Sequence, residues 1–317
     1  MERLYKEEFE VPGEDLYQWR LNAQADAQTA DVPLYEVDWF LQGVSQLNQS
    51  DLSLGLYRDR SAVSLSHSLD WLTQQWQRRL TERVPVQYLV GETPWRDLML
   101  TVTPDVLIPR PETELIIEIV QAWVERQNLL SGPQVWADLG TGSGAIAIAL
   151  ANAFPSSQVL AVDISAAALA VARQNASRNQ GENIQFYQGS WFDSLTDWQG
   201  QLSGVITNPP YIPSQVVTAL DPEVAHEPHQ ALDGGNDGLN DIRLLVEQAP
   251  KFLQPGGLWI TKHMQGQAQT IAALLEAQKI YNEIQIHPDL AGIDRFVSAT
   301  FCPKTSDPAP RSAVGQF

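Results

Sequence analysis

Val135-Trp136-Ala137-Asp138-Leu139-Gly140-Thr141-Gly142-Ser143-Gly144 runs directly into Ala145-Ile146-Ala147-Ile148. The first residues read as a strand from Gln134 to Asp138. The last begin a helix that reaches Ala153. Glycines at a strand-to-helix turn adopt backbone angles that other residues resist, and they let a ligand approach the main chain. The spacing is G-x-G-x-G with an acid, Asp138, two residues ahead of it, rather than the G-x-G-x-x-G of nicotinamide enzymes. The next strand, Gln158 to Asp163, closes on a carboxylate 19 residues beyond Gly144. There it can accept hydrogen bonds from both hydroxyls of a ribose. Asp138, Gly140, Thr141, Gly142, Ser143, Gly144 and Asp163 are therefore the candidate residues for an adenosine-containing cofactor. An ammonium favours a nearby carboxylate, so Asp138 suits the amino-acid end of S-adenosyl-L-methionine. Trp191-Phe192, just after the third strand, is a candidate pair to sandwich adenine, although such a pair is equally ordinary core.

Outward from this stretch, strands and helices alternate. Ala166–Asn179 reads as a helix, and Ile184–Gln188 and Gly204–Thr207 as strands. Helix Asp241–Phe252, strand Leu258–His263, helix Gln267–Ala277 and strands near Tyr281–His287 and Arg295–Phe301 complete the series. The pattern predicts an α/β, Rossmann-like domain, a mainly parallel sheet with helices on both faces. Upstream, residues 1–83 read as a small all-helical unit. Val37, Phe40, Leu41, Val44 and Leu47 share one helical face, as do Leu69, Leu72, Trp76 and Leu80. Val84 to Ile108 reads as a β-hairpin linker, with Val86, Tyr88, Leu89 and Val90 in one strand and Gly91-Glu92-Thr93-Pro94 as the break. Pro109-Arg110-Pro111 then starts a helix with Leu115, Ile116, Ile119, Val120 and Trp123 buried. The organisation predicted is a helical unit over 1–83, a linker over 84–108, a catalytic domain over 109–302 and a loose tail over 303–317.

The 317 residues carry a formal charge of −18, and no basic stripe interrupts the acidity. Direct nucleic-acid binding is not expected, and a basic partner surface is favoured. One cysteine, Cys302, permits no internal disulfide. The N-terminus has no apolar core after a basic start, so no signal peptide is read there. No membrane span is read, and a cytoplasmic protein is expected.

The fourth strand ends in Asn208-Pro209-Pro210-Tyr211, at the sheet edge where open α/β folds bind ligands. Consecutive prolines stiffen the backbone and remove two N–H donors. The Asn208 side-chain carbonyl and the Pro209 main-chain carbonyl can then take both hydrogens of a planar –NH₂, and Tyr211 can stack on it. Asn208, Pro209 and Tyr211 are the candidate catalytic residues. Together with Pro210 they are the candidate substrate-binding residues. The turn points to methylation of a planar amine and leaves open which amine. His226 and His229, near Glu223 and Glu227, invite a metal. Pro228 breaks the helix that would align them, and no metal site is expected.

At this point the chain resembles the bacterial peptide chain release factor glutamine methyltransferase family. The resemblance covers about residues 82–300 and rests on Glu82…Pro85-Val86-Gln87-Tyr88-Leu89-Val90-Gly91, Ile108-Pro109-Arg110-Pro111-Glu112-Thr113-Glu114, the Gly140–Gly144 loop and Asn208-Pro209-Pro210-Tyr211-Ile212. It continues through Glu223-Val224…Glu227-Pro228, Gly234-Gly235…Asp237-Gly238-Leu239 and Pro255-Gly256-Gly257. It implies a helical domain that helps dock class 1 peptide chain release factors. The methyl acceptor would be the glutamine of their Gly-Gly-Gln loop. Gly140–Gly144, Asp163, Trp191 and Asn208 would then contact the cofactor, and Asn208–Tyr211 would hold the glutamine. Ser190 and Lys262 stand where the family carries acids, and Ile293 where it carries Arg. Two other acceptors fit the same turn, a ribosomal-protein glutamine and the exocyclic amine of adenine. A binding protein that has kept the fold without catalysis is a further reading.

Overall fold

The computed structural model describes residues 9–127 and 133–303. The expectations for the extreme N-terminus and for most of the tail lie outside these residues. The first part folds as β1 (Phe9–Val11), α1 (Gly13–Thr29), α2 (Tyr35–Val44), α3 (Gln49–Leu54), β2 (Val63–Leu65), α4 (Leu69–Thr81) and α5 (Val86–Val90). Val37, Phe40, Leu41 and Val44 of α2 are buried against Leu72 and Trp76 of α4, as their helical spacing requires. Each large apolar side chain so buried contributes about 1.5–3 kcal/mol.

Three local expectations are corrected. The unit is not all helical, because β1 and β2 pair antiparallel, with Phe9 opposite Leu65 and Val11 opposite Val63. Val86–Val90 is a helix rather than a strand. Pro85 precedes it, Gly91 at φ 82° terminates it, and Val86 and Leu89 are its buried positions three apart. A short apolar run of this kind reads either way by periodicity. The hairpin itself forms, as β3 (Glu92–Trp95) and β4 (Leu98–Thr101), but its turn falls at Arg96-Asp97, with Arg96 at φ 53°. Pro94 sits inside β3, which a strand paired on one side only tolerates.

A 3-10 turn at Pro111–Glu114 leads into α6 (Leu115–Arg126). There follow β5 (Val135–Leu139), α7 (Ala145–Ala153), β6 (Gln158–Asp163), α8 (Ala166–Arg178), β7 (Ile184–Gln188), β8 (Leu202–Thr207), α9 (Ser214–Val217), α10 (Asn240–Gln248), β9 (Leu253–Lys262), α11 (Ala268–Gln278), β10 (Tyr281–Pro288) and β11 (Asp294–Phe301). The seven strands lie in the order β10-β11-β9-β8-β5-β6-β7. The five from β9 to β7 are parallel, and β11 and β10 add antiparallel at one edge. Ile116, Trp123 and Ile148 pack with Trp136 and Ile260 in one core, while Ile242, Leu245 and Ile271 pack with Val205 and Trp259 in the other. Successive strand residues face opposite cores, which is the alternation a doubly covered sheet needs.

This topology fixes the site. Connections leave β5 in one direction toward β6 and return on its other side at β8, so the chain reverses between them, and ligands bind at the carboxyl ends beside such a reversal. Leu139 is in register with Thr207, which sets Gly140 beside Asn208. No described helix is long and apolar enough to cross a membrane.

Candidate functional site

The Thr207 hydroxyl donates to the Leu139 carbonyl at 2.8 Å, tying the end of β8 to the end of β5. The glycine turn is fastened on its other side. Gly140 and Thr141 N–H both donate to Val162 O at 2.9 Å, and Gly142 N–H donates to Asp163 Oδ2 at 2.8 Å. Gly140, Gly142 and Gly144 have φ of 76°, 54° and 84°. Side chains other than glycine resist that region, so the sequence had to place glycines here. A Cβ on Gly140 would also lie 3.3 Å from the Trp191 ring.

A cavity of about 300 Å³ opens over this turn. Gly140–Ser143, Asp163 and Trp191 line it, and so do Asn208 and Pro210. The cofactor candidates and two residues of the expected acceptor turn, Asn208 and Pro210, therefore share one space. Thr141 and Ser143 have buried side chains, so they act there mainly through main chain. Asp163 also accepts from Ser165 N–H at 2.9 Å, which fixes its carboxylate at the rim.

Gly144, Pro209 and Tyr211 are not among the residues that line the cavity, and two further candidates lie elsewhere than expected. Phe192 does not line the cavity. It stacks on Phe252 at 4.5 Å in the core, so of the expected pair only Trp191 is in the wall, where Trp95 also stands. Asp138 is fully buried beneath the turn rather than on the cavity surface. Its Oδ2 accepts from the Thr141 hydroxyl at 2.6 Å and from Ala147 N–H at 3.0 Å. It thereby joins the glycine turn to the first turn of α7. Its Oδ1 is buried without a partner.

Burial pushes the Asp138 carboxyl up to about 7, against the two hydrogen bonds it accepts. The folded chain thus keeps a proton that the unfolded chain sheds above 3.8. The protonated fold is unpenalised below that value, and stability is lost as pH rises through about 7. The rise from 3.8 to about 7 corresponds to about 4 kcal/mol at most. Asp138→Asn retains an oxygen for both hydrogen bonds and has no charge to bury. Its melting temperature is expected to match the parent's near pH 4 and to exceed it by a margin that grows up to about pH 7. Parallel melting curves across that range would contradict this account.

The half expected to take the acceptor is Asn208–Tyr211. Asn208 Oδ1 is buried without a hydrogen-bond partner. The Pro209 carbonyl likewise receives no hydrogen bond from the described residues. Asn208 lines the cavity and Pro209 follows it directly in the chain, and buried acceptors left unmet cost free energy unless a donor arrives. A planar –NH₂ brings two donors. Tyr211 is fixed from behind. Gln267 Nε2 donates to its carbonyl at 2.9 Å, and the Lys262 ammonium stands 5.9 Å from its ring centroid.

Lys262 is not a loose replacement for an acid. Its Nζ donates to Glu112 Oε1 at 2.9 Å and to Thr113 Oγ1 at 2.8 Å, and it is only 1% exposed. Although burial pushes the Glu112 carboxyl up, this ammonium holds it below the usual carboxylate range. Ser190 lines the cavity next to Trp191. Ile293 N–H donates to Asp289 Oδ1 at 3.0 Å in the turn between β10 and β11, away from the cavity.

The segment after the turn folds back as the far wall, where Pro228, Gln230 and Ala231 line the cavity. It is pinned from two directions. Glu227 accepts from Arg110 at 2.7 Å, and Glu223 accepts from Arg79 at 2.9 Å and pairs with Arg83 at 2.7 Å. His226 Nε2 lies 2.8 Å from the Glu82 carbonyl oxygen. The four side chains that invited a metal are thus spread over separate partners. Among the described residues no group of three or more His, Cys, Asp or Glu is arranged to hold an ion.

Comparison with known proteins shows the family. Residues 126–236 match the model of the methyltransferase small domain. The release factor glutamine methyltransferase of Synechocystis sp. is 47% identical over 291 residues, 91% of this chain and 97% of that protein. The protein of the same name from Thermosynechococcus vestitus is 45% identical over 297 residues, 91% of this chain and 99% of its own length. Among solved structures, the hMettl16 catalytic domain is similar in fold, with a TM-score of 0.54 at 14% identity over 86% of this chain and 94% of that one.

Proposed function

The chain belongs to the release factor glutamine methyltransferase family, and from that premise we propose how its residues divide the work. The reaction moves a methyl group from S-adenosyl-L-methionine to the side-chain amide nitrogen of a release factor glutamine, the one in the Gly-Gly-Gln loop of class 1 factors. The observation that carries this reading is Asn208 Oδ1, a buried acceptor without a partner, on a residue that lines the same cavity as Gly140 and Asp163.

S-adenosyl-L-methionine, when bound, supplies an electrophilic methyl on a positively charged sulfur. Gly140–Gly144, Asp163, Trp191 and Asn208 are the residues we assign to hold it. Asp163 takes the ribose hydroxyls and Trp191 the adenine face. Asp138 serves through the turn it braces. Asn208 Oδ1 and Pro209 O each hold one amide hydrogen and so fix the plane of the glutamine. Pro210 keeps the corner rigid, and Tyr211 covers the amide. No strong base is needed, because the nitrogen becomes acidic only as it gains its new bond.

We read residues 1–83 as the partner-docking unit, 84–108 as the linker and 109–302 as the catalytic domain. With a net charge of −18 the chain attracts a basic partner surface at long range. A release factor as substrate goes with action in the cytoplasm.

Incubation of the full chain with release factor and S-adenosyl-L-methionine, followed by peptide mass spectrometry, tests the proposal. One methyl on the Gly-Gly-Gln glutamine is the expected product. Label on DNA or RNA with none on release factor would instead favour adenine as the acceptor.

A further inference from the structure

Trp191 has φ 48°, a left-handed conformation that a bulky residue adopts only when its surroundings hold it there. The turn swings its ring over Gly140, and its Nε1–H donates to Asp241 Oδ1 at 3.2 Å. Asp241 comes from the first turn of α10, 50 residues away, yet it lines the same cavity as Trp191, Asp163 and Ser190. Its Oδ2 has no partner among the described residues, and no Lys or Arg pairs with it. Burial pushes its carboxyl above the ordinary value against the indole hydrogen bond, as befits a carboxylate short of donors.

We infer that Asp241 recognises the exocyclic amine of the cofactor's adenine and so makes the site specific for an adenosyl group. This rests on the cofactor reading above. A carboxylate only accepts hydrogen bonds, so it selects a donor. The ribose hydroxyls fall to Asp163, on the glycine-turn side of the cavity. Asp105, also on the wall, is exposed and receives the Thr103 hydroxyl at 3.1 Å. The donor left for an acceptor beside the Trp191 ring is the adenine amine. Ser190 is nearby, but a hydroxyl both donates and accepts, so it does not distinguish an amine from a carbonyl. The acid absent from position 190 is in effect supplied by α10.

The test compares S-adenosylhomocysteine with S-inosylhomocysteine, in which a C6 carbonyl replaces the amine, by calorimetric titration of the full chain. The parent is expected to bind the adenosyl compound on the order of 10- to 100-fold more tightly, the loss of one hydrogen bond to a charged group. In Asp241→Asn the amide –NH₂ can donate to the carbonyl, so the preference should vanish or reverse. If Asp241 only props Trp191, both affinities fall by the same factor in that variant, and the inference is overturned. It is equally overturned if Ser190→Ala abolishes the preference while Asp241→Asn keeps it. A parent that binds neither compound would remove the cofactor reading itself, a result distinct from the other two.

Discussion

Asn208→Ala lowers the rate of methyl transfer by about 100- to 1,000-fold, while its melting temperature stays at or slightly above the parent's. The two halves of this expected result have one cause. Asn208 Oδ1 is a buried acceptor with nothing to accept from. Deleting it relieves an unmet group in the free protein, which is worth about 1–3 kcal/mol before packing losses. The size of the rate effect follows from what the turn is able to do. Full loss of amide conjugation costs about 18–20 kcal/mol, as judged from the rotation barrier. Two hydrogen bonds of about 1 kcal/mol each do not localise the nitrogen lone pair. Orientation of two reactants in near-attack geometry is worth about 7–11 kcal/mol, so catalysis here is chiefly positioning. With one of two anchors gone the amide pivots about the Pro209 carbonyl, and roughly a third of that term is forfeited. Single-turnover transfer of labelled methyl to release factor, run beside thermal unfolding, checks both halves. A variant that transfers within a few-fold of the parent would remove Asn208 from the mechanism.

What the chain disclosed in advance was local. The glycine turn, Asp163 and Asn208–Tyr211 each lie at a strand end, where neighbouring residues carry the signal. β6, β7 and α7 begin and end where the hydrophobic pattern placed them. The errors were also local in origin. Val86–Val90 is too short and too uniformly apolar for periodicity to separate helix from strand, and Phe192 beside Trp191 carries nothing to mark it as core. Illegible were the partnerships made across the chain. Lys262 meets Glu112 150 residues away, and Arg110 meets Glu227 117 residues away. Read singly, Lys262 looked like the loss of an acid. In place it is a neutralised brace behind Tyr211. Asp241 had no motif at all, and only the fold of α10 against the Trp191 turn brings it to the cavity.

Arg79 is the other residue whose loss should be felt most. It is 3% exposed, and its guanidinium takes Glu36 through Nε at 2.5 Å and Nη2 at 3.0 Å and Glu223 through Nη1 at 2.9 Å. Arg79→Ala leaves the Glu36 carboxylate buried without its cation, which costs about 3–5 kcal/mol. For a chain of this size that is a fall in melting temperature on the order of 10 °C. Glu223→Gln should cost much less, because Arg79 keeps Glu36. Stability alone does not describe the expected damage, however. Glu223 belongs to the segment whose Pro228, Gln230 and Ala231 wall the cavity, so Arg79 joins the helical unit to the site. The paired replacement Glu36→Met with Arg79→Met separates these effects. An apolar pair of similar volume can replace a buried ion pair at little cost, so the melting temperature should recover. Glu223 would still lack its deepest anchor, and KM for release factor should remain raised by about tenfold, the equivalent of one lost hydrogen bond to a charged group. If KM recovers together with the melting temperature, Arg79 is only structural and the cavity wall stands without it.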